Sequence, residues 1–273
     1  MKKIRRLIVT ILLIVMFLAG LSVFSFPYVS DFIHRRAQTI VIDEYRKAVR
    51  NTDESHINEL VEAARRYNEE LRKNGARFYL TEKELDEYRN MLQIGVSTVI
   101  GTIAIPVADI HLPIYSGTDD AVLAIGAGHI EGTSFPVGGA GTHSVITGHR
   151  GLHTASLFTE IDRMDIGDTF LLNILNLNLL YEVDQIEIVL PDDFSLLDIY
   201  EDKDYVTLLT CTPIAVNTHR LLIRGVRVDT VDIEDMLMPA GSAYVSIIAL
   251  ISVMAFMGVV LIIRLINIFK KEK

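Results

Sequence analysis

The sequence predicts a mainly β domain, an all-β barrel or sandwich, preceded by helices and held between two membrane-spanning helices. Three observations lead there. From about residue 98, short β-rich runs recur, punctuated by Gly, Pro and Asp. Ahead of them the apolar residues follow helical spacing. Near each end of the chain lies a long uncharged stretch with Lys and Arg beside it.

The N-terminal "MKKIRR", residues 1–6, precedes "LIVTILLIVMFLAGLSVFSF", residues 7–26, which carry no charge. As a helix rising about 1.5 Å per residue, this run is about 30 Å long, the thickness of bilayer hydrocarbon. It is longer than a signal-peptide core and no small-x-small cleavage pattern closes it, so it reads as an anchor. Residues 240–263, "AGSAYVSIIALISVMAFMGVVLII", are also uncharged, and the basic tail 264–273 follows. The positive-inside rule puts both termini in the cytoplasm and everything between the spans outside. The two termini carry +4 and +3 of a formal net charge of −9, which leaves −16 on residues 7–263. Such an acidic exterior lacks the cationic footprint of a nucleic-acid partner. A single cysteine also excludes a disulfide framework.

Residues 27–97 form a helical region. In "ESHINELVEAARRYNEELRKNG" the apolar positions Ile57, Leu60, Val61, Ala64, Tyr67 and Leu71 follow i, i+3, i+4, i+7 spacing, and Asn74-Gly75 supplies a stop. This predicts an amphipathic helix packed on the neighbouring domain. In "TEKELDEYRNML", Thr81 and Glu84 make a capping-box pattern for a second, shorter helix.

Residues 98–232 carry the strand-like runs "TVIGTIAIP", "DIHLPIY", "THSVITG", "DTFLLNIL", "LLYEVDQIEIVL", "YVTLLTC" and "RLLIRGVRV". The Gly-rich stretch "GAGHIEGTSFPVGGAGTHSVITGHRG" lacks the Walker lysine, so its glycines read as turns that bring backbone close to a site.

The one thiol, Cys211, closes the apolar run "VTLLTC". Two readings are open: a small buried hydrophobe, or a nucleophile supplied with a base and a charge stabiliser by other segments. A lone thiol outside the cell is exposed to oxidation, which favours one kept for its chemistry. The candidate bases are His111, His129, His143, His149, His153 and His219. His149 follows "SVITG", a strand running into a glycine, which puts it at a strand tip. His143, His149 and His153 are rivals as metal ligands, but their spacing matches no standard zinc pattern. Beyond Cys211, strand alternation in "HRLLIRGVRV" puts Arg220, Leu222 and Arg224 on one face, with Arg220 nearest the turn. Arg224 and Arg227 read as solvated barrel surface.

At these residues the sequence resembles a known family. "SVITGHRGL", "TLLTCTP" and "NTHRLLIRG", in this order, are similar to the histidine, cysteine and arginine motifs of the sortases. "GAGHIEGTSFPVGG", "FTEIDRMDIGD" and the two-anchor layout resemble the class C, pilin-polymerising sortases of Gram-positive bacteria. The resemblance implies an eight-stranded β-barrel and a catalytic trio of His149, Cys211 and Arg220. It also implies a transpeptidase that cleaves a Leu-Pro-x-Thr-Gly-like sorting signal between Thr and Gly through a thioacyl enzyme. A pilin lysine would then resolve that intermediate as an isopeptide. The implied partners are the membrane, pilin subunits and other surface proteins with C-terminal sorting signals, and no metal or organic cofactor is implied. The sequence departs from class C at the lid, since "NGARFYLTEKELDEY" contains no Asp-Pro-aromatic triplet. A housekeeping sortase, which anchors proteins to the cell wall, and a tethered non-catalytic binding domain remain as alternatives. A papain-like peptidase would place its cysteine ahead of its histidine, the reverse of the order here.

Overall fold

In the computed structural model, the residues described are 2–76, 80–95, 97–152, 154–228, 253–254 and 257–258. The chain divides into two compact units, Met1–Leu237 and Met238–Lys273. Most of the second unit, and with it the expected span at 240–263, lies outside the described residues.

The first unit opens with α1 (Lys2–Arg50), a single helix that runs through Pro27 without a break. Within its uncharged part, the Ser22 and Ser25 hydroxyls donate to the carbonyls of Leu18 and Leu21 one turn back, so these polar groups are satisfied inside the helix. Among the described residues this is the one helix long and apolar enough to cross a membrane. The amphipathic period gives α2 (Glu54–Asn74), which buries Ile57, Val61, Ala64 and Leu71 and ends at Gly75. The capping box at Thr81 and Glu84 starts α3 (Glu82–Arg89). Arg77, Phe78 and Tyr79, in the segment where a lid would lie, are outside the described residues.

Eight strands follow: β1 (Val99–Ile105), β2 (Ile110–Ser116), β3 (Ala127–His129), β4 (Thr142–Thr147), β5 (Thr169–Ile174), β6 (Leu177–Val189), β7 (Asp204–Thr212) and β8 (His219–Val228). They close into a barrel in the order β1-β2-β3-β4-β7-β8-β6-β5. The barrel, expected from the resemblance, is therefore present, and the sandwich alternative is excluded. Strands β2/β3 and β4/β7 pair parallel and the other neighbours antiparallel. It follows that β1, β4, β6 and β7 run toward one end of the barrel, called the upper end below, and the others run back. Its interior holds Ile103, Ile146, Phe170, Tyr181, Val206, Leu208 and Ile223, all fully buried. Helices α1 and α2 extend that core on the outside with Tyr45, Val49, Ile57, Val61 and Ala64.

Strand β3 is missing from the runs read in the sequence. It is three residues of the Gly-rich stretch, and a Cβ on Gly128 would come within 2.4 Å of the Gly117 carbonyl oxygen. Backbone-to-backbone packing leaves no room there for the β-branched residues that announce a strand.

Candidate active site

Strand β7 carries Cys211, and its alternation settles which way the thiol faces. Val206 and Leu208 point into the main core, whereas Leu209 packs on a separate outer cluster with Val145, Leu197 and Leu222. Cys211 shares the outer face with Leu209, two residues away, and is half-buried. The reading of Cys211 as a core hydrophobe therefore fails. The thiol lies at the upper rim of the barrel, above an apolar floor.

Arg220 stands directly opposite. Strands β7 and β8 pair with Cys211 against Arg220 and Leu209 against Leu222. Opposed residues in an antiparallel pair project to the same face with Cβ atoms about 5 Å apart, so guanidinium and thiol share the rim. Arg220 Nη1 donates to the carbonyls of Asn217 (3.2 Å) and His219 (3.1 Å), which bends the side chain back over the β7–β8 loop. Among the described residues it has no ion-pair partner, so its remaining donors are not committed to a carboxylate.

His149 reaches the same rim from β4, the parallel neighbour of β7. Thr147 pairs with Leu209, and three hydrogen bonds clamp the exit from β4 to the approach to Cys211. The Thr147 hydroxyl and the Gly148 amide donate to the Leu209 carbonyl (3.1 and 3.3 Å), and the Thr210 hydroxyl donates to the Gly148 carbonyl (2.7 Å). His149 is thus the first residue past the clamp on one strand and Cys211 the first on the other. Gly148 is required by packing, since a Cβ there would meet the Phe158 ring at 2.8 Å. The Phe158 amide in turn donates to the His149 carbonyl (3.0 Å).

Sequence reasoning passed over Arg150. Its side chain is 7% exposed and ion-paired with Asp162, while Nε donates to the Thr159 carbonyl (3.2 Å) and Nη1 to the Thr212 hydroxyl (3.4 Å). It ties the loop after His149 to the residue after Cys211. The adjacent His149-Arg150 pair and the acid in "FTEIDRM" were the available signals.

His219 lies on the same rim, next to Arg220 and opposite Thr212, whereas His143 and His129 separate from the site. His143, 1% exposed, donates from Nδ1 to the Asp198 carbonyl (2.9 Å) and accepts at Nε2 from the Thr207 hydroxyl (2.7 Å). Burial holds its pKa down at about 4. His129 is fully buried between the Ser134 carbonyl (2.8 Å) and the Tyr88 hydroxyl (2.7 Å), and burial lowers its pKa to about 4 as well. His153 lies outside the described residues. Arg224 is not solvated surface as the sequence suggested. It forms a two-pronged pair with Asp184 (2.9 Å at each contact) and lies 4.2 Å from the Tyr205 ring centroid, with 18% of its side chain exposed.

Three strand ends thus bring a thiol, an imidazole and an uncommitted guanidinium to one rim. That is the equipment for acyl transfer through a thioester: a sulfur nucleophile, a proton carrier and a cation for developing negative charge. Comparison with known proteins agrees with this chemistry. The sortase domain family matches residues 103–228. Sortase C1 from Streptococcus agalactiae is 42% identical and superimposes with a TM-score of 0.68, over 70% of this chain and 99% of that one. The chain belongs to the sortase family. Two further solved sortases are 43% identical to it, each with a TM-score of 0.62. One is Streptococcus pneumoniae sortase C, whose structure was analysed for pilin substrate specificity, matched over 70% of this chain and 97% of that one. The other is Clostridium perfringens sortase C, solved with the C-terminal cell wall sorting motif, over 70% and 100%. This sortase is accordingly a cysteine transpeptidase with class C enzymes as structural neighbours.

Proposed function

We propose that this chain is a membrane-anchored class C sortase that polymerises pilin subunits, with His149, Cys211 and Arg220 as its catalytic residues. The observation that carries the assignment is the register that sets Cys211 opposite Arg220 while the Gly148–Thr210 clamp delivers His149 beside them. The Cys211 thiolate attacks the threonine carbonyl of a Leu-Pro-x-Thr-Gly-like signal. The Thr–Gly bond breaks, His149 protonates the departing glycine amine, and the threonine is left as a thioester. A lysine amine of the next pilin attacks that thioester and gives up its proton to His149, and the isopeptide forms as the thiolate leaves. Arg220 orients the signal and stabilises each oxyanion, a task suited to a guanidinium fork. No cofactor enters any of these steps.

Residues 1–6 and 264–273 are cytoplasmic in this reading, 7–26 and 240–263 are spans, 27–97 is the helical region without a lid motif, and 98–232 is the catalytic barrel. The substrate class is supported by the pilin specificity studied in the Streptococcus pneumoniae enzyme and the sorting motif bound to the Clostridium perfringens one. The test offers the full-length enzyme one pilin fragment bearing a sorting signal, one bearing acceptor lysines, and an amine that mimics the wall precursor. Joining of the two pilin fragments by an isopeptide, read by mass spectrometry, supports the proposal. Transfer to the wall-like amine alone would favour the housekeeping reading.

A further inference from the structure

We propose that the upper end of the barrel, catalytic rim included, rests in the lipid headgroup layer of the membrane that holds α1. The inference depends on the reading of residues 7–26 as a span and goes beyond it by fixing the height and orientation of the site.

Three lines of geometry lead there. First, α1 meets the barrel from its upper end downward. The Asp31 carboxylate accepts from the Ser156 amide (2.8 Å), on the loop that follows His149. Arg35 Nη1 donates to the Asp109 carboxylate (3.1 Å) at the β1–β2 turn, also an upper connection. The Tyr45 hydroxyl then accepts from the Leu175 amide (2.8 Å) at the β5–β6 turn of the lower end. The N-terminal part of the helix therefore leaves the barrel on the side of the active site.

Second, the distance is short. From Phe26, the last residue of the uncharged run, to Asp31 is five residues, about 7.5 Å of helix. The headgroup layer is about 5–8 Å deep on each side of the hydrocarbon, and any tilt of the helix only lowers the barrel further. The loop after His149 is thus held at the depth of the headgroups.

Third, the surface fits that medium. Exposed apolar side chains continue on α1 past the uncharged run, at Tyr28, Val29 and Ile33. The upper connections of the barrel expose Val107, Ile125, Leu152, Leu190, Ile214 and Val216, with Val216 at 63%. Asp31, the first acid after the run, is ion-paired with Arg35 (2.8 Å), whose guanidinium it shares with Asp109 (3.1 Å). Exposed apolar side chains set among charged ones on these connections, beside an apolar helix, fit a surface lying in the headgroup layer.

The chain has no tryptophan, so single reporters can be placed without background. Full-length Val216→Trp and Leu152→Trp (upper end), Tyr200→Trp (lower end, 48% exposed) and Phe24→Trp (inside the span) are reconstituted in phosphatidylcholine–phosphatidylglycerol vesicles. Quenching is compared between a nitroxide on the headgroup and one deep in the acyl chain. The headgroup nitroxide should quench Val216→Trp and Leu152→Trp several-fold more than Tyr200→Trp, and the deep nitroxide should quench Phe24→Trp. Equal quenching of the upper and lower reporters, with Phe24→Trp still quenched, would overturn this inference and leave the anchor standing. An unquenched Phe24→Trp would overturn both.

Discussion

Lowering the pH from 7.5 to 5 should destabilise this barrel through three histidines outside the proposed catalytic trio. Burial lowers the pKa of His111, beside Arg46, from 6.5 to about 4, and does the same to His129 and His143, which are 0% and 1% exposed. In His129 and His143, one ring nitrogen donates to a carbonyl and the other accepts from a hydroxyl, so the neutral ring is the form the fold accommodates. The unfolded chain takes up protons below about pH 6.5 while the folded one holds out until about pH 4. Stability is therefore present above 6.5 and lost as the pH falls through that window. At 1.36 kcal/mol per pH unit, each histidine removes about 2 kcal/mol by pH 5, and the three together about 6 kcal/mol, a large share of the usual 5–15 kcal/mol. In a domain of this size that lowers the melting temperature by about 15 °C. Asp204 acts in the opposite sense, since burial raises its carboxyl. The assay is a series of thermal melts of the full-length protein in micelles between pH 7.5 and 4.5, repeated with His143→Gln, which should lose about a third of the slope. A melting temperature that stays flat or rises on acidification would refute the reasoning.

Other outcomes follow from the same geometry. His149→Ala should abolish transpeptidation with the melt unchanged, whereas His143→Ala should cost about 1–3 kcal/mol of stability with turnover by the folded fraction intact; peptide kinetics and melts on both variants separate the two. Arg220→Lys should slow turnover about a hundredfold, by analogy with the loss of an oxyanion donor. Arg224→Lys should instead weaken the fold by about 1 kcal/mol, because lysine cannot reproduce the two-pronged pair with Asp184; equal kinetic losses at both positions would contradict the register. Protease added to intact protoplasts should remove the acidic middle and spare tags at both termini, and a digested C-terminal tag would contradict the second span.

Much of this was legible in the sequence because period and punctuation were strong. Seven of the eight strands announce themselves by β-branched runs, and α2 ends at the Asn74-Gly75 stop that the pattern gives. The capping box at Thr81 and Glu84 forms as read. Strand β3 was hidden because Gly128 packs backbone against backbone. The face of Cys211 was ambiguous because a lone thiol at the end of an apolar run fits core and rim alike. The alternation along the folded β7, with Val206 and Leu208 inward and Leu209 outward, resolves it. Arg224 was misread because its partner Asp184 lies 40 residues away on β6. Tyr88 gave no signal either: from α3 it reaches into the barrel to bond His129 and the Gly117 amide, which ties the helix beyond the lid position to the fold.

The central claim is that the single thiol carries the acyl group. Full-length enzyme incubated with a Leu-Pro-x-Thr-Gly peptide, quenched in acid and examined by intact mass and peptide mapping, reports on it directly. A mass increase equal to the peptide up to its threonine, attached at Cys211 and released by hydroxylamine, is the predicted result. Cys211→Ala should stay folded, since the side chain lies half-buried on the outer face, and should show neither adduct nor product. Cleavage of the peptide by folded Cys211→Ala, or an adduct on any other residue, would contradict the account.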